Sequence, residues 1–205
     1  MTLPANHGSA VGGDVLRRVA FVVAFLNLAY GLIEFAVALR IGSVSLFADS
    51  VDFFEDTSVN LLIFFALTWS LKMRARVGMA LAGILLVPAA ATIWTAVQKL
   101  QVPIPPDPFA LGLTGLGALA VNLFCAILLA KYRAHSGSLT RAAFLSARND
   151  AVANVAIVAA GLVTAYLWRS AWPDLVVGIG IACLNADAAR EVWNAAREEH
   201  KAAAG

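Results

Sequence analysis

Charge is what this sequence has least of. Only 14% of its 205 residues are Asp, Glu, Lys or Arg, against about a quarter in an ordinary soluble domain, so a water-surrounded globule is excluded at the outset. The formal net charge is +2, which offers no broad basic surface for nucleic acid. Cysteine is scarce as well. Cys125 and Cys183 both sit in apolar runs with no CxxC spacing, and read as small apolar packing residues. The three histidines, His7, His135 and His200, all lie outside the apolar runs. No cleavable signal peptide is expected: Met1 to Gly13 is polar and Gly-rich, and the first apolar run is long and carries Glu34.

What the chain does have is apolar length. Hydrophobic residues make up 60% of it and the mean hydropathy is +0.78, the composition of a polytopic helical membrane protein. Six apolar segments stand out, at about 17–38, 44–69, 77–98, 109–130, 142–166 and 174–190. At 1.5 Å per residue each is long enough, or nearly so, to cross about 30 Å of hydrocarbon, the last with least to spare. Breakers separate them: Gly42-Ser43, Lys72 to Arg76, the Pro-rich stretch 103–108, Lys131 to Gly137, and Trp172-Pro173-Asp174. Trp168, Trp172 and Trp193 near span ends read as interfacial anchors.

Basic residues orient the spans. With six crossings, Arg17, Arg18, Lys72, Arg74, Arg76, Lys131, Arg133, Arg141, Arg190, Arg197 and Lys201 share one side, and only Arg40, Lys99 and Arg169 the other. Five crossings would scramble that split. The positive-inside rule then predicts an all-α protein of six transmembrane helices with both termini in the cytoplasm. Residues 1–16 are expected as a disordered tail, 17–190 as the membrane domain, and 191–205 as a short cytoplasmic helical tail.

The second segment concentrates the chemistry. Asp49, Asp52, Glu55 and Asp56 head a run that continues through Leu61 to Leu67. A helix advances about 100° per residue, so Asp49, Asp52, Asp56 and Asn60 share one face, with Glu55 beside it. Each carboxylate at the bilayer centre costs about 2.5–3.5 kcal/mol on insertion scales, and a cation is the natural compensation. From Val44, Asp52 lies about 12 Å and Asp56 about 18 Å into the second span. From Ala142 the fifth span runs the other way, with Asp150 about 12 Å and Asn154 about 18 Å in. Ser146, Asp150 and Asn154 share a face at matching depth. Two antiparallel helices can therefore present oxygen donors to one shared ion.

Plainer roles compete. Asn27, Asn60, Asn122 and Ser146 are of the kind that bridges neighbouring helices. Arg148 is the one basic residue well inside a span, but it cannot neutralise Asp52, Asp56 and Asp150 together, and it points away from Asp150. Pairing with Glu55 or snorkelling suits it better. Asp49 fits a hydrated mouth, and Glu34 a supporting or relay group.

These residues resemble the cation diffusion facilitator family. The likeness begins at Asn27 to Glu34 and continues from Gly42 through Asp56, then Thr95 to Leu100, Asn122, Ser138-Leu139, Asn149-Asp150 and Trp172-Pro173-Asp174. It covers about residues 20–195, and the second-span motif is its most specific part. The resemblance implies a transported-ion site made by Asp52 and Asp56 from the second span with Ser146 and Asp150 from the fifth. It also implies proton-coupled export of divalent transition metals from the cytoplasm, commonly by homodimers. Three departures stand out. Ser146 occupies a position where zinc-type members carry His, the loop before the fifth span holds only His135, and the expected chain lacks the cytoplasmic C-terminal domain.

The expected metal donors are thus Asp52, Asp56, Asp150, Ser146 and Asn154, with Asp49, Glu34, Glu55 and Asn60 as mouth or supporting groups. Oxygen donors suit manganese, magnesium or iron(II); zinc, cobalt and nickel remain open as substrates. No prosthetic group is expected. The partners are the lipid bilayer, a divalent cation and protons, since crowded carboxylates in a partly desolvated site cannot all stay ionised once the metal leaves. The expected location is the inner (plasma) membrane of a bacterium. Two other readings are a non-transporting accessory or metal-sensing protein of the same fold, and an intramembrane acid–base enzyme. The enzyme is the weakest, because its Asp pair would lie on one helix with no sign of a substrate cleft.

Overall fold

The structure, a computed structural model, describes residues 7–66, 73, 90–131 and 138–185. These residues form six helices and no strand: α1 (His7–Ile41), α2 (Val44–Ala66), α3 (90–101), α4 (Pro108–Ala130), α5 (Ser138–Tyr166) and α6 (Trp172–Asn185). Most of the third span, Trp193 and the tail at 191–205 lie outside the described residues.

Local chemistry sets the helix ends. Gly42 takes a positive φ of 62°, which a residue without a Cβ tolerates, and Ser43 N–H donates to the Ala38 carbonyl at 3.0 Å. That closes α1 in a Schellman turn. Helix α4 starts behind Asp107, whose carboxylate accepts from Ala110 N–H at 2.7 Å, with Pro108 at the first helical position.

Helices α1, α2, α5 and α4 form a ring: α1 packs on α2 and α4 on α5, while α1–α4 and α2–α5 contacts close it. Two apolar clusters cap its ends. One joins Ala20, Val23, Ile63, Cys125, Leu129, Ala143 and Ala147; the other joins Ala38, Leu46, Phe47, Leu111, Ile157 and Ala160 to Ile181 of α6. The clusters also fix chain direction, because α2 enters at the second and leaves at the first while α5 does the reverse. Between them every ring helix contributes buried polar groups, among them Asn27, Glu34, Asp49, Asp52, Asp56, Asn122 and Asn154.

The outer surface is apolar. Phe25, Leu32, Ile33, Phe109, Leu113, Ile127, Val152 and Leu162 are exposed, an inversion of soluble packing that suits lipid. Asp14–Ile41, Pro108–Ala130 and Ser146–Tyr166 are long and apolar enough to cross a bilayer. Helix α2 has the length, 23 residues, but carries four carboxylates. The protein is an all-α, polytopic integral membrane protein.

Candidate functional site

The polar layer is a set of specific side-chain pairings. On α2, Asp49, Asp52, Asp56 and Asn60 are all buried, as their shared helical face requires. Asp56 accepts from Asn27 Nδ2 of α1 at 3.3 Å, and Asn27 Oδ1 in turn meets the Cys125 thiol of α4 at 3.5 Å. The Ser146 hydroxyl of α5 is within hydrogen-bonding reach of Asp56 as well. Asn60 turns back to its own helix and donates to the Asp56 carbonyl at 2.8 Å.

A second chain of contacts surrounds Asp49. Asn154 Nδ2 of α5 donates to Asp49 Oδ2 at 2.5 Å, and Asn122 Nδ2 of α4 donates to Asn154 Oδ1 at 3.0 Å. Glu34 of α1, fully buried, lies within hydrogen-bonding reach of Asp49. Carboxylates are acceptors only, so that contact becomes a hydrogen bond when one of the two carries a proton. With both ionised, neither Glu34 oxygen has a donor, nor does Asp49 Oδ1.

Asp52 and Asp150 both line a cavity of about 560 Å³. Its polar lining is Asp52 and Glu55 from α2, Ser146, Asn149 and Asp150 from α5, and Asn185 from α6; Val177, Ile181 and Leu184 of α6 supply an apolar wall. Asp52 and Asp150 come from helices of opposite direction, the arrangement expected from their depths. Arg148 does not enter the cavity: it is exposed and donates to Asn149 Oδ1 at 3.3 Å.

The structure thus brings Asp52, Asp150, Ser146 and Glu55 to one cavity and leaves Asp56 with Asn27 and Ser146. It leaves Asn154 and Glu34 with Asp49. Among the described residues no three His, Cys, Asp or Glu side chains are gathered at ion-holding distance. Asp49 and Asp56 each already hold a protein donor.

One arrangement was not apparent from residue spacing. Asp174 at the start of α6 is fully buried and accepts from Ser43 Oγ at 2.6 Å, Val44 N at 2.9 Å, Ser45 N at 3.1 Å and Ser45 Oγ at 2.6 Å. The available signal was an acid just inside a helix start, paired with Ser-rich Gly42 to Ser45 at another; nothing local joins two segments 130 residues apart. Beside it, at the end of α3, Lys99 Nζ donates to the Gly42 carbonyl. Burial lowers the Lys99 pKa from its ordinary value, and Asp174 acts in the opposite direction.

Residues 20–198 match the family described as the cation efflux transmembrane domain. A curated relative, the cation-efflux pump FieF of Salmonella typhi, is 28% identical over 188 residues, covering 84% of this chain and 62% of that protein. The chain therefore spans less than two thirds of that relative's length. With the match running through all six described helices and both acidic helices of the polar layer, the chain belongs to the cation efflux transmembrane domain family.

Proposed function

We propose that the protein is a membrane transporter that exports divalent metal cations from the cytoplasm in exchange for protons. The observation that carries this reading is the cavity lined by both Asp52 of α2 and Asp150 of α5, which come from antiparallel helices. Asp56 and Ser146, in contact with each other at the same level, complete the donor set. Asn154 supports Asp49 instead.

The donors are carboxylate and hydroxyl oxygens, a set that favours manganese, magnesium or iron(II) over ions that prefer nitrogen or sulfur. A metal arriving at the cavity neutralises the facing carboxylates. When it leaves, their mutual repulsion in a poorly solvated site draws protons in its place. Metal and protons therefore compete for the same oxygens, which couples their movements in opposite directions. Rocking of helices about the site would expose it to each side in turn. The one-sided distribution of Lys and Arg supports an outside α1–α2 turn and cytoplasmic termini.

The test is uptake into proteoliposomes. Mn²⁺, Co²⁺, Fe²⁺ and Zn²⁺ are offered with and without an imposed pH gradient. Metal movement that accelerates with an opposing proton gradient supports exchange, and movement indifferent to it removes proton coupling. Failure to move any ion would turn the reading towards a non-transporting accessory or sensing protein.

A further inference from the structure

The N-terminus of α2 is completed by α6. The first four N–H groups of a helix have no partner within it. Here Val44 N–H and Ser45 N–H go to Asp174, Leu46 N–H goes to Ser43 Oγ at 3.1 Å, and Phe47 N–H reaches the Ser43 carbonyl at 3.3 Å. Two of the four are thus satisfied by a carboxylate from another helix. The two serine hydroxyls add two further bonds to the same group. A negative charge at this end also complements the α2 dipole.

One turn further along α6, the backbones touch. A Cβ at Gly178 would lie 2.7 Å from Ser45 N and from the Val44 carbonyl carbon, so the absent side chain lets the helices meet. Val44, Ala96 of α3, Ala171 and Leu175 pack around the contact. Beyond it Ile181 still packs with Leu46 and Phe47 of α2. Val177, Gly180, Ile181, Leu184 and Asn185 line the cavity that also holds Asp52 and Asp150. Steps of three and four place Asp174, Val177, Ile181 and Leu184 on one α6 face. That face is hydrogen-bonded to α2 at one end and borders the cavity at the other.

We propose that Asp174 is the latch of the outer gate: its bonds to Ser43, Val44 and Ser45 hold α6 on α2 while the cavity is open on the opposite side, and they release when the cavity opens outward. The proposal rests on the transport reading for its purpose, but the geometry that carries it does not depend on that reading. Release exposes Val44 and Ser45 N–H groups at the end of the span, where incoming water replaces the carboxylate. The same bonds fix the rotation of α2. Asp52 lies seven residues beyond Ser45, nearly two full turns, so pinning Ser45 also keeps Asp52 turned to the cavity. Asp174 is therefore a positioning residue that never touches the ion.

Thiol labelling provides the test. In a Cys183→Ser background, Ala153→Cys places a thiol in the cavity lining, and a membrane-impermeant maleimide is applied to oriented vesicles from each side. The parent should react from the side opposite the α1–α2 turn. Asp174→Ala should raise reaction from the α1–α2 side by about tenfold or more, the scale expected for losing charge-assisted hydrogen bonds. Should Asp174→Ala fail to fold, Ser43→Ala/Ser45→Ala removes the hydroxyl bonds and keeps those of the backbone; it should shift labelling the same way, by less. Unchanged labelling from that side in folded variants overturns the latch. A second arm keeps Asp174 and Ser45 and joins Val44→Cys to Leu175→Cys, neighbours in the same apolar contact, with a short cleavable thiol linker. Linked protein should still bind Mn²⁺ but stop moving it, and cleavage should restore uptake. Uptake that continues while linked overturns the latch. Absence of uptake in the unlinked parent would instead refute transport, with labelling still deciding the gate.

Discussion

Two glycines on α6, two residues apart, should respond oppositely to the same substitution. Gly178 faces the α2 backbone, and a Cβ there would stand 2.7 Å from Ser45 N and the Val44 carbonyl carbon and 2.8 Å from Val44 Cγ1. Ordinary contact needs 3.4 Å or more. The obstructing atoms are mostly backbone, held by Asp174, so α6 itself must retreat. Overpacking of this kind costs about 1–3 kcal/mol. Gly180 has nothing within 4 Å of its notional Cβ, and Ala is better than Gly in a helix by about 0.8–1.0 kcal/mol. Thermal unfolding in one detergent, followed by circular dichroism, separates them. At about 2–4 °C per kcal/mol for a chain of this size, Gly178→Ala should lower the midpoint by several degrees, and Gly180→Ala should hold or raise it. Equal midpoints, or a reversed order, would refute the α2–α6 contact.

Four further outcomes follow from the same geometry. Asn154→Ala strips Asp49 of its donor and should cost about 1–3 kcal/mol of stability, yet change Mn²⁺ affinity little, since Asn154 is not among the residues lining the cavity; a calorimetric titration showing a large affinity loss would return Asn154 to the ligand set. Metal affinity should fall with acidity, by about tenfold per pH unit for each proton displaced, because a carboxylate must be deprotonated to bind; equilibrium binding between pH 5 and pH 8 checks this, and a flat profile opposes it. Tyr30 donates to the Thr114 carbonyl at 2.7 Å, so Tyr30→Phe should cost about 0.5–1.5 kcal/mol in unfolding. In Gly117→Ala, whose Cβ would collide with the Tyr30 hydroxyl, that same change should cost nothing more, and a full additive loss would show that the hydroxyl had not been displaced.

The parts of this protein that follow from periodicity were legible in its sequence. Long apolar runs and the one-sided Lys and Arg marked the spans, and steps of three and four put Asp49, Asp52, Asp56 and Asn60 on one buried face. Counting residues inward from each end placed Asp52 and Asp150 at a common level, where the cavity holds both. Partner choice was less accessible. Asn154 sits one turn from Asp150, and spacing alone could not tell whether it served the cavity or Asp49; the position of Asn122 on α4 decides it. Asp174 was harder still. Its partners lie at the start of α2, and the sequence gives no periodic signal linking two helix N-termini so far apart. Local rules describe what a helix presents, whereas the meeting of two presented groups depends on packing across the whole bundle.

The central claim is that carboxylates from α2 and α5 hold one ion together. It is tested most directly by equilibrium binding of Mn²⁺ to detergent-solubilised protein, comparing the parent with Asp52→Asn, Asp150→Asn and the double variant. A shared site predicts one bound ion, a large loss from either single change, and a double variant that loses much less than the two losses combined. Two independent losses that add in full, or affinity untouched by both changes, would contradict it.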